Sequence, residues 1–271
     1  MKYILIIVDN NWNMYEDIAL QLKYSFDKNN IDNCITTYEN AKKNNFLKND
    51  QENHCIFFGT AYKKYYIPKN SILTDFDNDR LLDKIFTKEL FDNNKIITYS
   101  KLSLEKIKTK YNTINIGLFH FGYSGYQDLY LDLKKDIDIC YLGGSEERRQ
   151  FILNELSKEF KCVYKYGIFG EERQKLYSRS KIILSIYSED YLRYFPSSSR
   201  IFPAVSNGAF VISEKCLDEQ HSKILENICV NVEYKDMIST IKYFLKNEAE
   251  RECLRKQYYM NIKKIECKID V

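Results

Sequence analysis

Glycine and proline are scarce in this chain, with 9 and 3 among 271 residues, whereas lysine, asparagine, isoleucine and tyrosine are abundant. This bias indicates an AT-rich coding genome, so runs of surface lysine carry little functional information. The sequence contains no low-complexity segment, no repeat of solenoid period and no apolar run long enough to span a bilayer. Repeat arrays and membrane-spanning proteins are therefore excluded as classes for the sequence given.

The eight cysteines include no C-x-x-C pair, which argues against a zinc site or a redox pair. Several lie in apolar, strand-like runs, where a free thiol packs as a small hydrophobic side chain. The N-terminal apolar run, Ile4–Val8, is too short for a signal peptide. We therefore expect structural thiols and a cytoplasmic, reducing environment. The cysteines are Cys34, Cys55, Cys140, Cys162, Cys216, Cys229, Cys253 and Cys267.

The charge balance points to no polyanionic or lipid partner. The net charge is +3, with 44% apolar and 29% charged residues, which describes an ordinary globular protein. A chain of this length is long enough to form two domains. We expect no membrane span and no nucleic-acid partner.

Short apolar runs alternate with helical periodicity over residues 1–122, the pattern of parallel βαβ units. A further helix is predicted over 79–91. The predicted strands are 2–9, 34–38, 54–59, 71–74, 95–99 and 113–119. One buried helix face is predicted from apolar residues that recur every four positions: Met14, Ile18, Leu22 and Phe26.

The alternation restarts near residue 136 with strands that end in glycine. Gly143 and Gly144 close one strand, and Ser145 is predicted to cap the next helix. The sequence thus predicts an N-terminal domain over 1–122, a linker over 123–136 and a C-terminal domain over 137–271 that ends in a helix. Strands are predicted at 139–142, 161–164, 181–187, 209–212 and 228–232.

In an open parallel sheet, ligands bind beyond the carboxyl ends of the strands. Gly143 and Gly144 follow such an end and would let a phosphate approach the backbone at a helix start, although a plain turn fits equally well. Arg148 and Arg149 lie one turn inside that helix and face either the site or solvent. Tyr187 follows another strand, where it either stacks on a nucleobase or packs in the core.

Three hydroxyls and a cation stand together at Ser197, Ser198, Ser199 and Arg200, before a short amphipathic segment. Hydroxyls, N–H groups and a guanidinium at a helix start favour an anion such as phosphate or a ribose contact. The alternative is a serine-rich N-cap with a surface arginine.

Candidate bases toward an acceptor hydroxyl are His120, Asp9 and Asp128, each of which has a structural polar role as its alternative. The D-x-D spacing that holds a metal and a nucleotide in some transferases occurs three times, at Asp75-Phe76-Asp77, Asp77-Asn78-Asp79 and Asp136-Ile137-Asp138. A chain with 38 acidic residues produces such spacings by chance, and cation binding needs more than spacing. We therefore predict neither a metal nor a cofactor.

The segment Arg200–Ile212 resembles the pattern R-x-F-E-A-x-A-x-G-x-x-V-I of group-1-like GT-B glycosyltransferases. Asp136–Gly144, followed by Glu147-Arg148-Arg149, resembles the first strand, glycine loop and helix of the donor domain in that family. Gly170–Arg173 and Ser180–Leu184 resemble the run that leads to its third strand. The resemblance covers about half of the chain, from Asp136 to about Met260, and the order of its motifs makes it specific.

The resemblance implies an α/β fold with two Rossmann-like domains facing across a cleft, in a short form. The C-terminal domain would hold a nucleoside-diphosphate sugar, and the N-terminal domain a glycan, protein or small-molecule acceptor. Gly143 and Gly144 would admit the diphosphate. The other donor-binding candidates are Arg148, Arg173, Tyr187, Ser198, Ser199 and Arg200.

The sequence departs from the family at Pro203, where the pattern has a glutamate that accepts hydrogen bonds from the ribose diol. Proline has no such acceptor and no backbone N–H. This departure motivates one alternative, an inactive GT-B-like scaffold or binding module. A further possibility is glucosylation or binding of nucleic acid through the lysine-rich surface, which the small net charge disfavours.

Overall fold

A computed structural model describes residues 2–8, 12–48, 53–60, 62–76, 86–127 and 133–270. The chain divides into two compact units. Unit 1 comprises Met1–Gly122 together with Glu266–Val271, and unit 2 comprises Tyr123–Ile265. The first boundary lies at the end of the domain predicted over 1–122, whereas the last residues, predicted in the C-terminal domain, pack with unit 1.

Unit 1 is built on a seven-stranded sheet in the order β12-β6-β5-β4-β3-β1-β2. Every neighbouring pair is parallel except β12 and β6. Its strands are β1 (Lys2–Ile7), β2 (Asn33–Thr37), β3 (Asn53–Phe58), β4 (Ile72–Asp75), β5 (Lys95–Thr98), β6 (Ile116–His120) and β12 (Lys268–Ile269).

The helices of unit 1 cover this sheet with apolar faces. Ile18, Leu22 and Phe26 of the first helix are buried, as predicted from their spacing, while the side chain of Met14 lies outside the described residues. Threonine or serine caps the later helices, because Thr37, Thr87 and Ser100 accept from backbone N–H groups. The helices are α1 (Trp12–Lys28), α2 (Tyr38–Lys43), α3 (Lys88–Asn93) and α4 (Lys101–Tyr111).

Two glycines of unit 1 make room for the C-terminal segment. A Cβ on Gly117 would lie 2.1 Å from the Asp270 carbonyl oxygen, and one on Gly122 would lie 2.1 Å from the Cys267 nitrogen. The Asp270 N–H donates to the Leu118 carbonyl at 2.9 Å. The last strand therefore closes the β6 edge of the sheet by direct backbone contact.

Unit 2 has a parallel five-stranded sheet in the order β11-β10-β9-β7-β8. Its strands are β7 (Ile137–Leu142), β8 (Cys162–Lys165), β9 (Ser180–Ser185), β10 (Val211–Glu214) and β11 (Val230–Val232). Its helices are α5 (Glu147–Ser157), α6 (Gly170–Arg179), α7 (Ser198–Ser206), α8 (Glu219–Glu226), α9 (Met237–Lys246) and α10 (Glu248–Ile262).

Both units place their parallel strands in the order second, first, third, fourth, fifth, and unit 1 adds a sixth beyond its fifth. In such doubly wound sheets, ligands bind at the carboxyl edge where the order reverses, between the first and third strands. That point lies between β1 and β3 in unit 1, and between β7 and β9 in unit 2. The α/β prediction is confirmed, and the strand order itself locates a candidate site in unit 2.

Some predictions differ from the structure. Glu146, not Ser145, is the N-cap of α5, and no described side chain caps that helix start. Helix α4 was not predicted, since its lysines obscure the buried Leu104 and Ile107. Much of the helix predicted over 79–91 lies outside the described residues. In the described part, residues 88–91 belong to α3, which continues to Asn93.

All eight cysteines are free thiols, five of them buried, in agreement with the prediction of structural thiols. Among the described residues, no cluster of three or more potential metal ligands occurs. No helix in the described part of the chain is long and apolar enough to cross a membrane.

Candidate functional site

The candidate site lies in unit 2, where the loops after β7, β9 and β10 meet at the carboxyl edge of the sheet. The loop after β7 contains Gly143 and Gly144, and the loop after β9 contains Tyr187 and leads to α7. Strand β10 ends at the buried Glu214. The structure thus brings together residues that are more than 60 positions apart in sequence.

Gly143 and Gly144 form a turn against a tyrosine of their own strand. The Tyr141 hydroxyl donates to the Gly144 carbonyl at 3.0 Å, and a Cβ on Gly143 would lie 2.5 Å from that hydroxyl. Burial raises the pKa of the Tyr141 phenol, which the nearby cations Arg200 and Arg149 partly offset. The close approach of Tyr141 therefore accounts for a small residue at position 143.

Arg148 is held in a bidentate ion pair with Glu214. Its Nη1 donates to Oε2 at 2.6 Å and its Nη2 to Oε1, while Nη1 also donates to the Tyr187 carbonyl at 3.0 Å. The guanidinium lies 3.9 Å from the centre of the Tyr234 ring. Glu214 is fully buried and Arg148 is 20% exposed. Arg148 is therefore committed to protein partners rather than presented to solvent.

Arg149 is buried, and it joins the loops after β7 and β9. Its Nε donates to the Ile186 carbonyl at 2.9 Å, and its Nη1 reaches the Gly144 carbonyl at 3.4 Å. Nη1 also pairs with Glu146. The adjacent arginines thus bind consecutive carbonyls of the chain that leaves β9.

Tyr187 is only 5% exposed, so its ring offers no open face for stacking on a nucleobase. Its N–H donates to Glu214 Oε2 at 3.1 Å, and its hydroxyl is buried without a hydrogen-bond partner among the described residues. Burial raises the pKa of the phenol. Of the two roles considered from the sequence, packing is the one that this position supports.

Helix α7 begins with open hydrogen-bonding capacity. Its N-cap, Ser197, makes no side-chain cap bond with any described residue, and the first N–H bonded within the helix is that of Arg200. Ser198 Oγ is buried and has no hydrogen-bond partner among the described residues, whereas Ser199 is exposed. Uncapped N–H groups at a helix start carry partial positive charge and attract anions.

Arg200 is half-buried beside this helix start. It lines a pocket with Tyr177, Ser185 and Ile201, and its charge acts on the Tyr141, Glu146 and Tyr177 side chains. No ion pair forms between Arg200 and any described carboxylate. Ser185 Oγ in the same pocket is buried without a hydrogen-bond partner in the described part of the chain.

The remaining candidates lie outside the loops that follow β7, β9 and β10. Arg173 is buried in α6, with its guanidinium 5.2 Å from the Phe169 ring centre. His120 ends β6 in unit 1, where its Nε2 is 2.8 Å from Asp270 Oδ2 of the C-terminal segment. Asp9 and Asp128 lie outside the described residues.

The two acids of the third D-x-D spacing are engaged in ion pairs. Asp136 binds Arg179 through both oxygens at 2.8 and 2.7 Å, and Asp138 pairs with Lys181 at 2.7 Å. These residues precede or begin strands, at the amino edge of the sheet. The structure therefore places them opposite the carboxyl edge, where the candidate site lies.

Pro203 is buried inside α7, so the Ser199 carbonyl lacks the helical donor that another residue would supply. Sequence reasoning did not assign a role to Glu214, which proves to be the centre of the charge network. Its position in the sequence could have revealed this role, because an acidic residue at the end of an apolar strand is buried and therefore requires a positively charged partner.

Residues 133–264 match the sequence family described as glycosyl transferase-like. The match spans nearly all of unit 2, the part of the chain that carries the predicted motifs. No curated protein sequence matches the chain.

Solved structures resemble the chain over almost its full length. An alpha-glucosyltransferase in complex with UDP-glucose and DNA matches with a TM-score of 0.68 at 10% identity, covering 98% of this chain and 96% of that one. WaaG, a glycosyltransferase involved in lipopolysaccharide biosynthesis, matches with a TM-score of 0.57 at 8% identity, covering 97% of this chain and 95% of that one. Sucrose-phosphate synthase from Thermosynechococcus elongatus matches with a TM-score of 0.54 at 11% identity, covering 96% of this chain and 94% of that one.

The sequence match covers unit 2, and the structural matches cover the fold of the whole chain. Both sets of matched proteins are glycosyltransferases or glycosyl transferase-like. They confirm the resemblance noted in the sequence. Residues 133–264 carry the sequence of the glycosyl transferase-like family, and the chain as a whole has the fold of the GT-B glycosyltransferases.

Proposed function

We propose that the chain transfers a sugar from a nucleoside-diphosphate sugar to a hydroxyl group of an acceptor. The observation that carries the proposal is the first turn of α7, which has uncapped N–H groups, the buried Ser198 hydroxyl and Arg200 and follows the carboxyl end of a strand in a parallel sheet. These groups are all hydrogen-bond donors, and they suit the oxygens of a diphosphate.

In this reaction the bond between the sugar C1 and the diphosphate oxygen breaks, and C1 bonds to the acceptor oxygen. The acceptor hydroxyl loses its proton, and negative charge develops on the leaving diphosphate. The N–H groups of α7 and the Arg200 guanidinium would stabilise that charge without a metal. Ser198 and Ser199 would supply further donors at the same helix end.

A first test measures binding of UDP, GDP, TDP and CMP sugars by calorimetry and thermal shift. We expect at least one donor to bind, and Arg200→Ala to lose about 1.5–3 kcal/mol of binding free energy because a charged hydrogen bond is removed. Arg179→Ala is the matched control, since Arg179 pairs with Asp136 at the opposite edge of the sheet. The absence of binding by every donor at millimolar concentration would refute the proposal.

The acceptor class is open among glycans, proteins, small molecules and nucleic acid. The alpha-glucosyltransferase structure contains DNA, which makes DNA a necessary member of the acceptor panel. The net charge of +3 gives this chain little general affinity for a polyanion. If the protein binds DNA with an affinity that falls steeply as salt rises, nucleic acid becomes the first acceptor to test. If it does not bind DNA, nucleic acid is excluded as the acceptor.

Pro203 motivates a second candidate, a GT-B-like binding module without catalysis. Its ring places no acceptor where the family pattern has a glutamate, and it is buried inside α7. Donor hydrolysis separates the two candidates. Turnover that Arg200→Ala abolishes supports the transferase, whereas donor binding without hydrolysis or transfer supports the binding module.

A further inference from the structure

We infer that Glu146 is an internal competitor for ligand phosphate at the glycine loop, the turn formed by Gly143 and Gly144 after β7. Its carboxylate lies against Gly144 and pairs with the buried Arg149, so a nucleoside diphosphate has to displace it to bind there. This inference deepens the proposed function and rests on it, because it concerns the phosphate groups of the same donor.

The glycine loop lies where the sheet of unit 2 favours a ligand. It follows the carboxyl end of β7 and leads into α5, beside the point between β7 and β9 where the strand order reverses. Leu142, which precedes the loop, lines a pocket together with Arg200 of α7. The glycine loop and the first turn of α7 are therefore neighbours at one edge of the sheet.

Side chains of the protein itself fill the space that the two glycines leave open. A Cβ on Gly143 would lie 2.5 Å from the Tyr141 hydroxyl. A Cβ on Gly144 would lie 2.7 Å from Glu146 Oε1 and 3.2 Å from Oε2. The Glu146 carboxylate is thus in contact with the loop, and a phosphate that approaches Gly144 meets a negative charge already in place.

Arg149 holds this carboxylate at the loop. Its Nη1 pairs with Glu146 Oε2 and also reaches the Gly144 carbonyl at 3.4 Å. Its Nε donates to the Ile186 carbonyl at 2.9 Å, which fixes the guanidinium from the β9 side. The Arg149 side chain is 6% exposed, and a cation at that depth needs an anionic partner. Glu146 supplies the anion from a side chain that is 51% exposed.

The pairing can be exchanged for a ligand. Glu146 is the N-cap residue of α5, but its side chain makes no cap bond to that helix. An ion pair with an exposed partner contributes little net free energy, because holding a long side chain in one place costs entropy. A diphosphate brings more charge and more acceptor oxygens than one carboxylate. It therefore replaces Glu146 on Arg149, and the buried guanidinium stays paired throughout.

The two helix starts at this edge differ in charge. The start of α5 carries Glu146 and Glu147, whereas the first turn of α7 carries no acidic residue. Acidic side chains at a helix start offset its partial positive charge. The chain thus supplies its own anions at α5, so a phosphate binds the start of α7 without this competition and the glycine loop only after Glu146 has moved.

The experiment measures binding of UDP, GDP and TDP to the wild type and to Glu146→Gln by calorimetry. Glutamine keeps the size of the side chain and an oxygen acceptor for Arg149, but it removes the negative charge. We expect each nucleotide that binds the wild type to bind the variant about threefold to tenfold more tightly, the scale of one charge at a helix start. Equal or weaker binding by the variant would overturn the inference.

Salt dependence separates competition by charge from a change in loop shape. We expect the gain in affinity to be larger at about 0.01 M ionic strength than at about 1 M, where charges are strongly screened. A gain of equal size at both would show that the loop has changed shape, against the inference. Glu146→Ala removes the charge and the contact with Gly144 together. We expect at least the same gain from it, and it decides if the glutamine variant does not fold.

Glu155→Gln is the matched control, since it removes the acid of another i, i+3 ion pair in the same helix, the one with Lys158. We expect it to leave nucleotide affinity unchanged. A gain as large as that of Glu146→Gln would assign the effect to net charge and count against the inference. If the wild type binds a nucleotide and Glu146→Gln binds it equally, the inference fails while the proposed function stands. If neither protein binds any nucleotide, both fail.

Discussion

At the residue scale, the two adjacent arginines of α5 show how burial changes the meaning of a motif. Arg148 and Arg149 look like phosphate ligands in the sequence, because they follow a glycine loop at a helix start. In the structure both bind main-chain carbonyls and carboxylates. Arg200, which is half-buried and forms no ion pair with a described carboxylate, remains the cation presented at the candidate site.

Lys135 gives a prediction of pH dependence. Its ammonium donates to the Ser178 and Ser180 carbonyls, and burial, with the nearby Arg255, lowers its pKa from 10.5 to about 8. The unfolded chain therefore binds more protons than the folded one between pH 8 and 10.5, so this group adds stability as the pH rises through that window.

The expected result is that the free energy of unfolding of the wild type, minus that of Lys135→Met, increases from about pH 8 to pH 10. Urea denaturation of both proteins across that range measures it. Taking the difference cancels the titration of tyrosines and cysteines that the two proteins share. A difference that is flat or falls with pH contradicts the lowered pKa.

At the element scale, the ends of helices decide how the layers of unit 2 join. Asn207, the C-cap of α7, accepts from Ser178 Oγ at 2.5 Å and donates to the Gln127 carbonyl at 2.5 Å. It is almost fully buried. One side chain thus connects α7 to the end of α6 and to the short helical turn Gly125–Gln127.

We predict that Asn207→Ala lowers the free energy of unfolding by about 1–3 kcal/mol for each buried partner left unsatisfied. Chemical denaturation monitored by circular dichroism measures the change. The control is Asn227→Ala, a C-cap whose side chain bonds the exposed Lys223 carbonyl. Equal losses in the two variants would show that burial of the Asn207 bonds is not what matters.

The elements also show what the sequence was able to predict. Continuous apolar runs identified most strands. Both faces of a parallel sheet are covered, so apolar and polar residues do not alternate along its strands. Strand β12 was missed, since two residues of mixed polarity pair only through their backbone with a strand far away in sequence. The ion pair of Glu214 was missed for the same reason, because sequence spacing does not reveal which strand ends are adjacent.

At the scale of the whole molecule, the C-terminal segment is part of unit 1 although it follows unit 2 in the chain. It is fastened by the backbone of β12, by the pair between His120 and Asp270, and by Glu266, which accepts from Asn29 at 2.5 Å. Cys267 is buried in the same segment. Unit 1 therefore depends on residues that the family match, which ends at 264, does not include.

We predict that deletion of 266–271 destabilises unit 1 selectively, because it uncovers the β6 edge and the contact surfaces of Gly117 and Gly122. Hydrogen exchange followed by mass spectrometry measures protection in β6 and in β10. Faster exchange is expected in β6 with little change in β10. A uniform increase across both sheets would contradict the selective effect.

Gly122→Ala is a point-mutation version of the same experiment, since its Cβ would meet the Glu266 and Cys267 backbone. Gly144→Ala is the matched control, because its Cβ would meet the end of the Glu146 side chain rather than backbone. We expect Gly122→Ala to reproduce the β6 effect of the deletion.

The late position of β12 has a consequence for synthesis on the ribosome. Asp270 lies 150 residues after its partner His120, so the edge of the first sheet stays uncovered while all of unit 2 is being translated. Nascent chains that expose a strand edge are targets for chaperones and for mispairing with other chains. Unit 1 begins to emerge first, yet unit 2 is the first of the two that translation can complete.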